Sequence, residues 1–135
     1  MMLKGRCLCG KVRYQINKPL IAADHCHCSM CRRQHGAAFA TYAQCTADSF
    51  EWVAGEALVK TYYSGADLAA GWSFCTECGS TLAAASQDKV TSITLGTLEG
   101  EVDITPSSHI FVDSKASWYK ICDNLVQFSK RESDE

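Results

Sequence analysis

The chain has 135 residues, with 13 basic and 15 acidic side chains and a formal net charge of −2. This length is typical of one domain, and a near-neutral charge argues against a nucleic-acid-binding or membrane-surface protein, which would normally carry a basic face. Hydrophobic residues make up 47% of the sequence, a share that argues against disorder.

The first predicted elements are a turn, a strand and a helix. A tight turn at residues 7–10 leads into a strand over residues 12–16, where apolar and polar side chains alternate with period two. A short helix is predicted over residues 29–35, with Ser29 as its N-cap, basic residues near its C-terminal end and Gly36 after its last residue.

Short strands dominate the rest of the prediction. They are rich in β-branched or aromatic residues and are separated by Gly, Asp or Ser turns. The predicted strands are residues 38–42, 50–53, 57–63, 72–74, 80–83, 90–95 and 109–112. We therefore predict one mainly β domain over residues 1–128, followed by a frayed polar tail over residues 129–135.

Seven of the nine cysteines fall into three tight groups, which are Cys7-x-Cys9, Cys26-x-Cys28-x-x-Cys31 and Cys75-x-x-Cys78. Such spacing lets several sulfurs reach one ion at about 2.3 Å, as tetrahedral zinc requires. The alternatives are a disulfide framework or a redox Cys-x-x-Cys motif, although the redox motif normally accompanies a βαβ pattern that this chain lacks. The spacing favours zinc.

Ligand counting divides the cysteines into two sites. A structural zinc has four protein ligands, whereas a catalytic zinc has three and keeps a place for water or substrate. The simplest partition assigns the structural site to a four-cysteine cluster of Cys7, Cys9, Cys75 and Cys78. The open, catalytic site is then a three-cysteine cluster of Cys26, Cys28 and Cys31.

An alternative is that a fourth protein ligand closes the three-cysteine cluster, which would make both sites structural. The candidates for that ligand are His25, His27, His35 and Cys45. Cys45 and Cys122, which belong to no cluster, are predicted to be buried as small hydrophobic residues. Trp118 and Tyr119 are candidates either for a ligand pocket or for core or edge packing.

The N-terminal residues show no apolar run after Lys4 and Arg6, so they do not resemble a secretory signal. No stretch approaches the roughly 18 apolar residues that span a bilayer. We therefore expect a cytoplasmic protein, because thiols stay reduced in that compartment. A processed secreted protein is the alternative.

Four motifs occur in a characteristic order: GRCLCGKVRY at residues 5–14, CHCSMCRR at 26–33, FCTECGS at 74–80 and HIFVDSKASW at 109–118. Together they resemble the glutathione-dependent formaldehyde-activating enzyme family. The resemblance covers nearly the whole chain. It departs from the family at Trp72, which lies where an arginine is common before the third motif.

The resemblance implies an Mss4-like β-tent of short antiparallel strands with zinc knuckles and two zinc ions per chain. It implies the same division of ligands as the counting argument. It further implies a carbon–sulfur lyase, similar to S-(hydroxymethyl)glutathione synthase, with a small thiol such as glutathione and an aldehyde as partners.

The chemistry of a three-thiolate zinc agrees with that activity. Zinc with three thiolates carries a formal charge of −1 and suits a soft fourth ligand, and a thiol bound to zinc loses its proton. Two other functions compete with the lyase. A non-catalytic zinc-scaffold binding module would have both sites closed, and a metal-storage or sensing protein would have variable occupancy of the second site.

Overall fold

The fold is known from a computed structural model, which describes residues 2–131. The described part of the chain forms eleven strands and one α-helix, so the mainly β prediction is confirmed. In chain order the elements are β1 Leu3–Arg6, β2 Arg13–Ile16, β3 Ala23–Cys26, α1 Ser29–His35, β4 Ala40–Gln44, β5 Phe50–Ala54, β6 Val59–Tyr63, β7 Gly71–Cys75, β8 Thr81–Ser86, β9 Lys89–Thr94, β10 Ser108–Ile110 and β11 Val126–Gln127.

The strands form two sheets. A three-stranded antiparallel sheet has the order β1-β2-β5, and an eight-stranded sheet has the order β11-β10-β3-β4-β9-β8-β7-β6. All pairs in the larger sheet are antiparallel except that β10 runs parallel to β3 and to β11. The antiparallel expectation therefore holds for the hairpins and fails at this edge, where strands distant in sequence meet without a hairpin.

The buried side chains form two groups, and each contains one cysteine cluster. The first group brings together Tyr14 and Ile16 of the small sheet with Leu82 and Ile93 of the large sheet, around Cys7 and Cys75. The second group surrounds Cys26 and Cys31 and consists of Ala40, Tyr42 and Trp72. Each cluster therefore lies against its own apolar surroundings.

Most predicted strands are present, with boundaries shifted by one to three residues. The predicted strand over residues 57–63 begins only at Val59, because Glu56–Leu58 is a 3₁₀ turn. The predicted strand over residues 109–112 ends at Ile110, because Phe111 has a left-handed backbone with φ 57°. The pattern did not predict β1, β3 or β11, which are only two to four residues long.

The helix has the predicted limits but a different N-cap. Helix α1 spans Ser29–His35 and ends at Gly36, whose φ of 63° is left-handed. Its N-cap is Cys28 and not Ser29, because the Cys28 sulfur accepts a hydrogen bond from the backbone N–H of Cys31. No helix among residues 2–131 is long and apolar enough to cross a membrane.

The predicted frayed tail is partly ordered. The backbone carbonyls of Ser129 and Lys130 accept hydrogen bonds from the backbone N–H groups of Asp113 and Phe111. Residues 132–135 of the predicted tail lie outside the described residues, and the domain boundary at residue 128 stays a prediction.

Gly55 is expected to be the glycine most sensitive to substitution by alanine. Its φ is 72°, and an added Cβ would lie 2.2 Å from the carbonyl oxygen of Lys11. At Gly36, φ is 63° but the Cβ would meet nothing within 4 Å. The left-handed backbone alone costs about 1–2 kcal/mol per substitution. Gly36→Ala should lose about that much in urea unfolding and Gly55→Ala clearly more; an equal loss would contradict the role of the contact.

Candidate metal centres

The four-cysteine cluster joins two turns that are far apart in sequence. Cys7 and Cys9 lie in the turn between β1 and β2, whereas Cys75 ends β7 and Cys78 lies in the turn before β8. The four Sγ atoms lie within 4.8 Å of one another. The Cys7–Cys9 and Cys9–Cys75 sulfurs are 3.5 and 3.9 Å apart. Tetrahedral zinc bonds of 2.3 Å place sulfurs about 3.8 Å apart, so these donors fit zinc.

Hydrogen bonds hold the two turns in this arrangement. Gly79 donates its N–H to the carbonyl of Cys75 over 2.7 Å, in a backbone conformation with φ 81° that glycine adopts without strain. The Ser80 hydroxyl accepts the N–H of Leu8 and lies 3.2 Å from the Cys78 sulfur. The Ser80 hydrogen bond lowers the pKa of the Cys78 thiol to about 5. One serine therefore contacts both turns.

The three-cysteine cluster forms where β3 passes into α1. Cys26 is the last residue of β3, Cys28 is the N-cap and Cys31 lies in the first turn of the helix. Their sulfurs are also within 4.8 Å of one another. The backbone N–H of Cys31 points at the Cys28 sulfur over 3.2 Å, an arrangement that stabilises a thiolate at that position.

The ionisation of these three thiols is coupled. Hydrogen bonds from Cys26 and Cys31 lower the pKa of the Cys28 thiol to about 2. The Cys26 pKa is raised, first by its hydrogen bond to Cys28, then by that to Cys31 and by burial. The hydrogen bond to Cys26 lowers the pKa of Cys31, but the Cys28 interaction and burial outweigh it and raise that pKa to about 11. Three thiolates at this place therefore need a cation to offset their charge, which zinc would supply.

The three cysteines line a pocket with a volume of about 430 Å³. Its apolar walls come from helix α1 and from the neighbouring strands and loops, and include Met30, Ala69, Ala70, Trp72, Ala84, Ala85, Ile110 and Phe111. Charged groups are contributed by Asp24 and Arg131, and hydroxyl groups by Tyr42, Ser86, Thr91 and Ser92. A mostly apolar pocket with a few polar groups is typical of a small-molecule site.

Among the described residues, the three-cysteine cluster has no fourth ligand. Within residues 2–131, no further His, Cys, Asp or Glu ligand atom lies within 4.8 Å of all three sulfurs. Cys45 is buried in the other core group. The His35 Nδ1 lies 3.2 Å from the carbonyl of Cys31, and His25 Nδ1 lies 2.8 Å from the hydroxyl of Thr41.

His27 belongs to a chain of hydrogen bonds that the sequence did not reveal and that runs from two buried histidines to the exposed Asp123. Its Nε2 lies 2.8 Å from Nδ1 of His109, whose Nε2 lies 2.9 Å from a carboxylate oxygen of Asp123. Burial, followed by repulsion from His109, lowers the pKa of His27 to about 4. The hydrogen bond to His109 lowers the pKa of Asp123. His27 is therefore neutral at pH 7 and attaches the segment between two cluster cysteines to the C-terminal part of the chain.

One prediction about an individual residue is wrong. Cys122 is exposed and not buried, because it lies in an irregular segment before β11 with its sulfur 3.5 Å from the Lys120 carbonyl. Trp118 is 72% exposed and does not line the 430 Å³ pocket, and its ring contacts that of Tyr119 edge-on, with the centroids 6.4 Å apart. Tyr119 also contacts the ring of Phe39, with their centroids 5.5 Å apart.

The model of one protein family, described as glutathione-dependent formaldehyde-activating enzyme, matches residues 2–114. The chain belongs to this family. A crystal structure of a protein from Rhodobacter sphaeroides is similar to this chain, with 27% sequence identity and a TM-score of 0.57. The likeness covers 74% of this chain and 91% of that one. None of the curated proteins matches the chain in sequence.

Proposed function

We propose that this chain is a zinc-dependent carbon–sulfur lyase that forms and cleaves the adduct of a small thiol and an aldehyde, similar to S-(hydroxymethyl)glutathione synthase. The observation that carries the proposal is a cluster of three cysteines, without a fourth ligand among the described residues, in the wall of a 430 Å³ pocket. Membership of the formaldehyde-activating family supports the choice of thiol and aldehyde.

In this proposal the two clusters have different tasks. The four-cysteine cluster would hold a structural zinc, and the three-cysteine cluster would hold a second zinc beside the substrates. When bound there, zinc supplies a Lewis acid that lowers the pKa of a thiol or polarises a carbonyl oxygen.

The reaction needs no oxidant or reductant. The thiol sulfur forms a bond to the aldehyde carbon, the carbon–oxygen double bond becomes a single bond, and the thiol proton ends on the new hydroxyl group. In the reverse direction, the hydroxyl proton returns to sulfur as the carbon–sulfur bond breaks. The pocket holds the two reactants next to each other and limits water around them.

One of the two charged groups that line the pocket, Arg131, could bind a thiol that carries a carboxylate. Arg131 contributes a guanidinium group to the lining, and guanidinium groups bind carboxylates well. Glutathione carries carboxylate groups, which is why we propose a glutathione-like thiol. The reducing cytoplasm is the proposed compartment, because the nine cysteines form no disulfide and seven of them lie in two clusters that could hold a metal ion.

The proposed activity predicts faster exchange between a free thiol and its formaldehyde adduct. Exchange NMR with formaldehyde and either glutathione or 2-mercaptoethanol measures this rate, with a protein-free sample as the control. We expect acceleration with glutathione and less with 2-mercaptoethanol, which has no carboxylate for Arg131. Protein that contains two zinc ions per chain and accelerates neither exchange would contradict the lyase.

A further inference from the structure

One ligand of the three-cysteine cluster receives a hydrogen bond from a buried tyrosine. The Tyr42 hydroxyl donates to the Cys31 sulfur over 3.4 Å, and the indole N–H of Trp72 donates to the Tyr42 oxygen over 2.9 Å. Tyr42 is 9% exposed and Trp72 is 5% exposed. An indole N–H can only donate, so the tyrosine oxygen accepts from it, and the tyrosine proton remains available for sulfur.

The sheet register explains how these two distant side chains meet. Tyr42 lies on β4 and Trp72 on β7, which are separated by β9 and β8. Trp72 pairs with Ala84, and Ala84 pairs with Ser92 on β9. Ser92 pairs with Gln44, which lies two residues after Tyr42 on the same face of β4. The small side chains of Ala84 and Ser92 therefore leave room for the indole and the phenol to meet diagonally over the sheet.

We propose that Tyr42, held by Trp72, is a positioning residue that controls how much negative charge Cys31 donates to a metal in the three-cysteine cluster. The proposal rests on the proposed use of this cluster as a metal site. A hydrogen bond to a ligand sulfur withdraws electron density from it, and groups that contact metal ligands commonly orient and tune them.

The physical need for this contact follows from the charge at the site. Three thiolates around a divalent cation leave a net charge of −1, next to walls such as Trp72 and Ala84 that offer little solvation. The Cys28 sulfur accepts a hydrogen bond from a backbone N–H, whereas the Cys31 sulfur accepts one from the hydroxyl of Tyr42. Withdrawal of charge from Cys31 leaves the metal a better acceptor for a fourth ligand that enters from the pocket.

The test replaces Tyr42 by phenylalanine, which removes the hydroxyl and keeps the ring. The full chain is prepared with Co²⁺ in place of zinc, and its sulfur-to-cobalt charge-transfer absorption is recorded without substrate. Loss of the hydrogen bond raises the energy of the sulfur lone pairs, so the band of Tyr42→Phe should move to longer wavelength. In competition with a chelator, Tyr42→Phe should bind one of its two zinc ions with an affinity about tenfold lower than that of the unmodified chain.

Tyr14→Phe is the matched control. Its hydroxyl is also buried and lies 2.7 Å from the Thr97 hydroxyl, so the same group is deleted at a place without contact to the three-cysteine cluster. We expect the control to lose stability but to keep its charge-transfer band. Trp72→Phe removes the donor to Tyr42 and should give a smaller shift in the same direction.

A band in Tyr42→Phe at the wavelength of the control overturns the proposal. If Tyr42→Phe does not fold, an unshifted band in Trp72→Phe overturns it. Because the spectrum is read without thiol or aldehyde, this result is independent of the lyase activity. A shifted band in a protein that accelerates no thiol exchange would leave the role of Tyr42 intact and contradict only the proposed function.

Discussion

If zinc occupies the clusters as proposed, its removal is expected to unfold the protein cooperatively, because the four-cysteine cluster joins two turns that are far apart in sequence and lies within the first group of buried side chains. Cys9 and Cys75 are 66 positions apart, and closure of so long a loop removes much entropy from the unfolded chain. Structural zinc carries an apparent binding free energy of about 10–16 kcal/mol, against a net stability of about 5–15 kcal/mol for a typical domain. The binding free energy of one structural zinc is therefore as large as the net free energy of unfolding of a typical domain.

Far-ultraviolet circular dichroism during chelation at neutral pH measures this effect, with the metal content of the same sample verified. Cys75→Ser should reproduce it, because that residue is fully buried within the cluster, whereas Cys122→Ser should behave like the unmodified protein, because Cys122 is exposed and belongs to no cluster. A native spectrum after both ions have been removed would show that the strands hold together without metal.

Cys31→Ser is expected to lower thiol-adduct turnover by more than about 100-fold while most of the fold persists. Changes to groups that only contact metal ligands already cost about 10–100-fold, and this one removes a ligand. The serine hydroxyl does not ionise at neutral pH, so it replaces a thiolate poorly. The three cysteines lie close together in sequence, so a metal bound to them closes only a short loop. Loss of that loop changes the entropy of the unfolded chain only slightly.

The measurements are zinc content, thermal unfolding and exchange rate for Cys31→Ser and for Cys122→Ser as the control. We expect one zinc per chain in the first variant and two in the second. An unchanged exchange rate in Cys31→Ser with only one zinc bound would show that the three-cysteine cluster takes no part in the reaction. A complete loss of folding in Cys31→Ser would instead assign it a structural role and favour the binding-module alternative.

Cysteine spacing was the most informative part of the sequence, because it is a local property. Two sulfurs separated by one or two residues lie close together in most backbone conformations, so the three groups could be predicted from spacing, whereas the union of the Cys7 and Cys75 groups followed from counting zinc ligands. Helix α1 was predictable for a similar reason, since it begins within the three-cysteine cluster and ends before Gly36. The prediction failed only at the N-cap: serine propensity suggests Ser29, whereas the sulfur of Cys28 caps the helix.

Features that depend on sheet register could not be predicted. The contact between Tyr42 and Trp72 requires the order of four strands and the size of the side chains between them. His27 could have faced the metal or the opposite side, and its contact with His109 depends on the parallel pairing of β3 and β10. That pairing joins strands that are distant in sequence, and three- or four-residue strands carry too little pattern to reveal their partners.

The pocket owes much of its space to side chains that are small. Ala84 and Ala85 on β8 and Ala69 and Ala70 before β7 form a wall beside the cysteines without contributing ligands. A larger residue at one of these positions would change the shape of the pocket while the thiols stay in place. The choice of molecules that fit the pocket and the metal chemistry proposed for the thiols therefore depend on different residues of the same site.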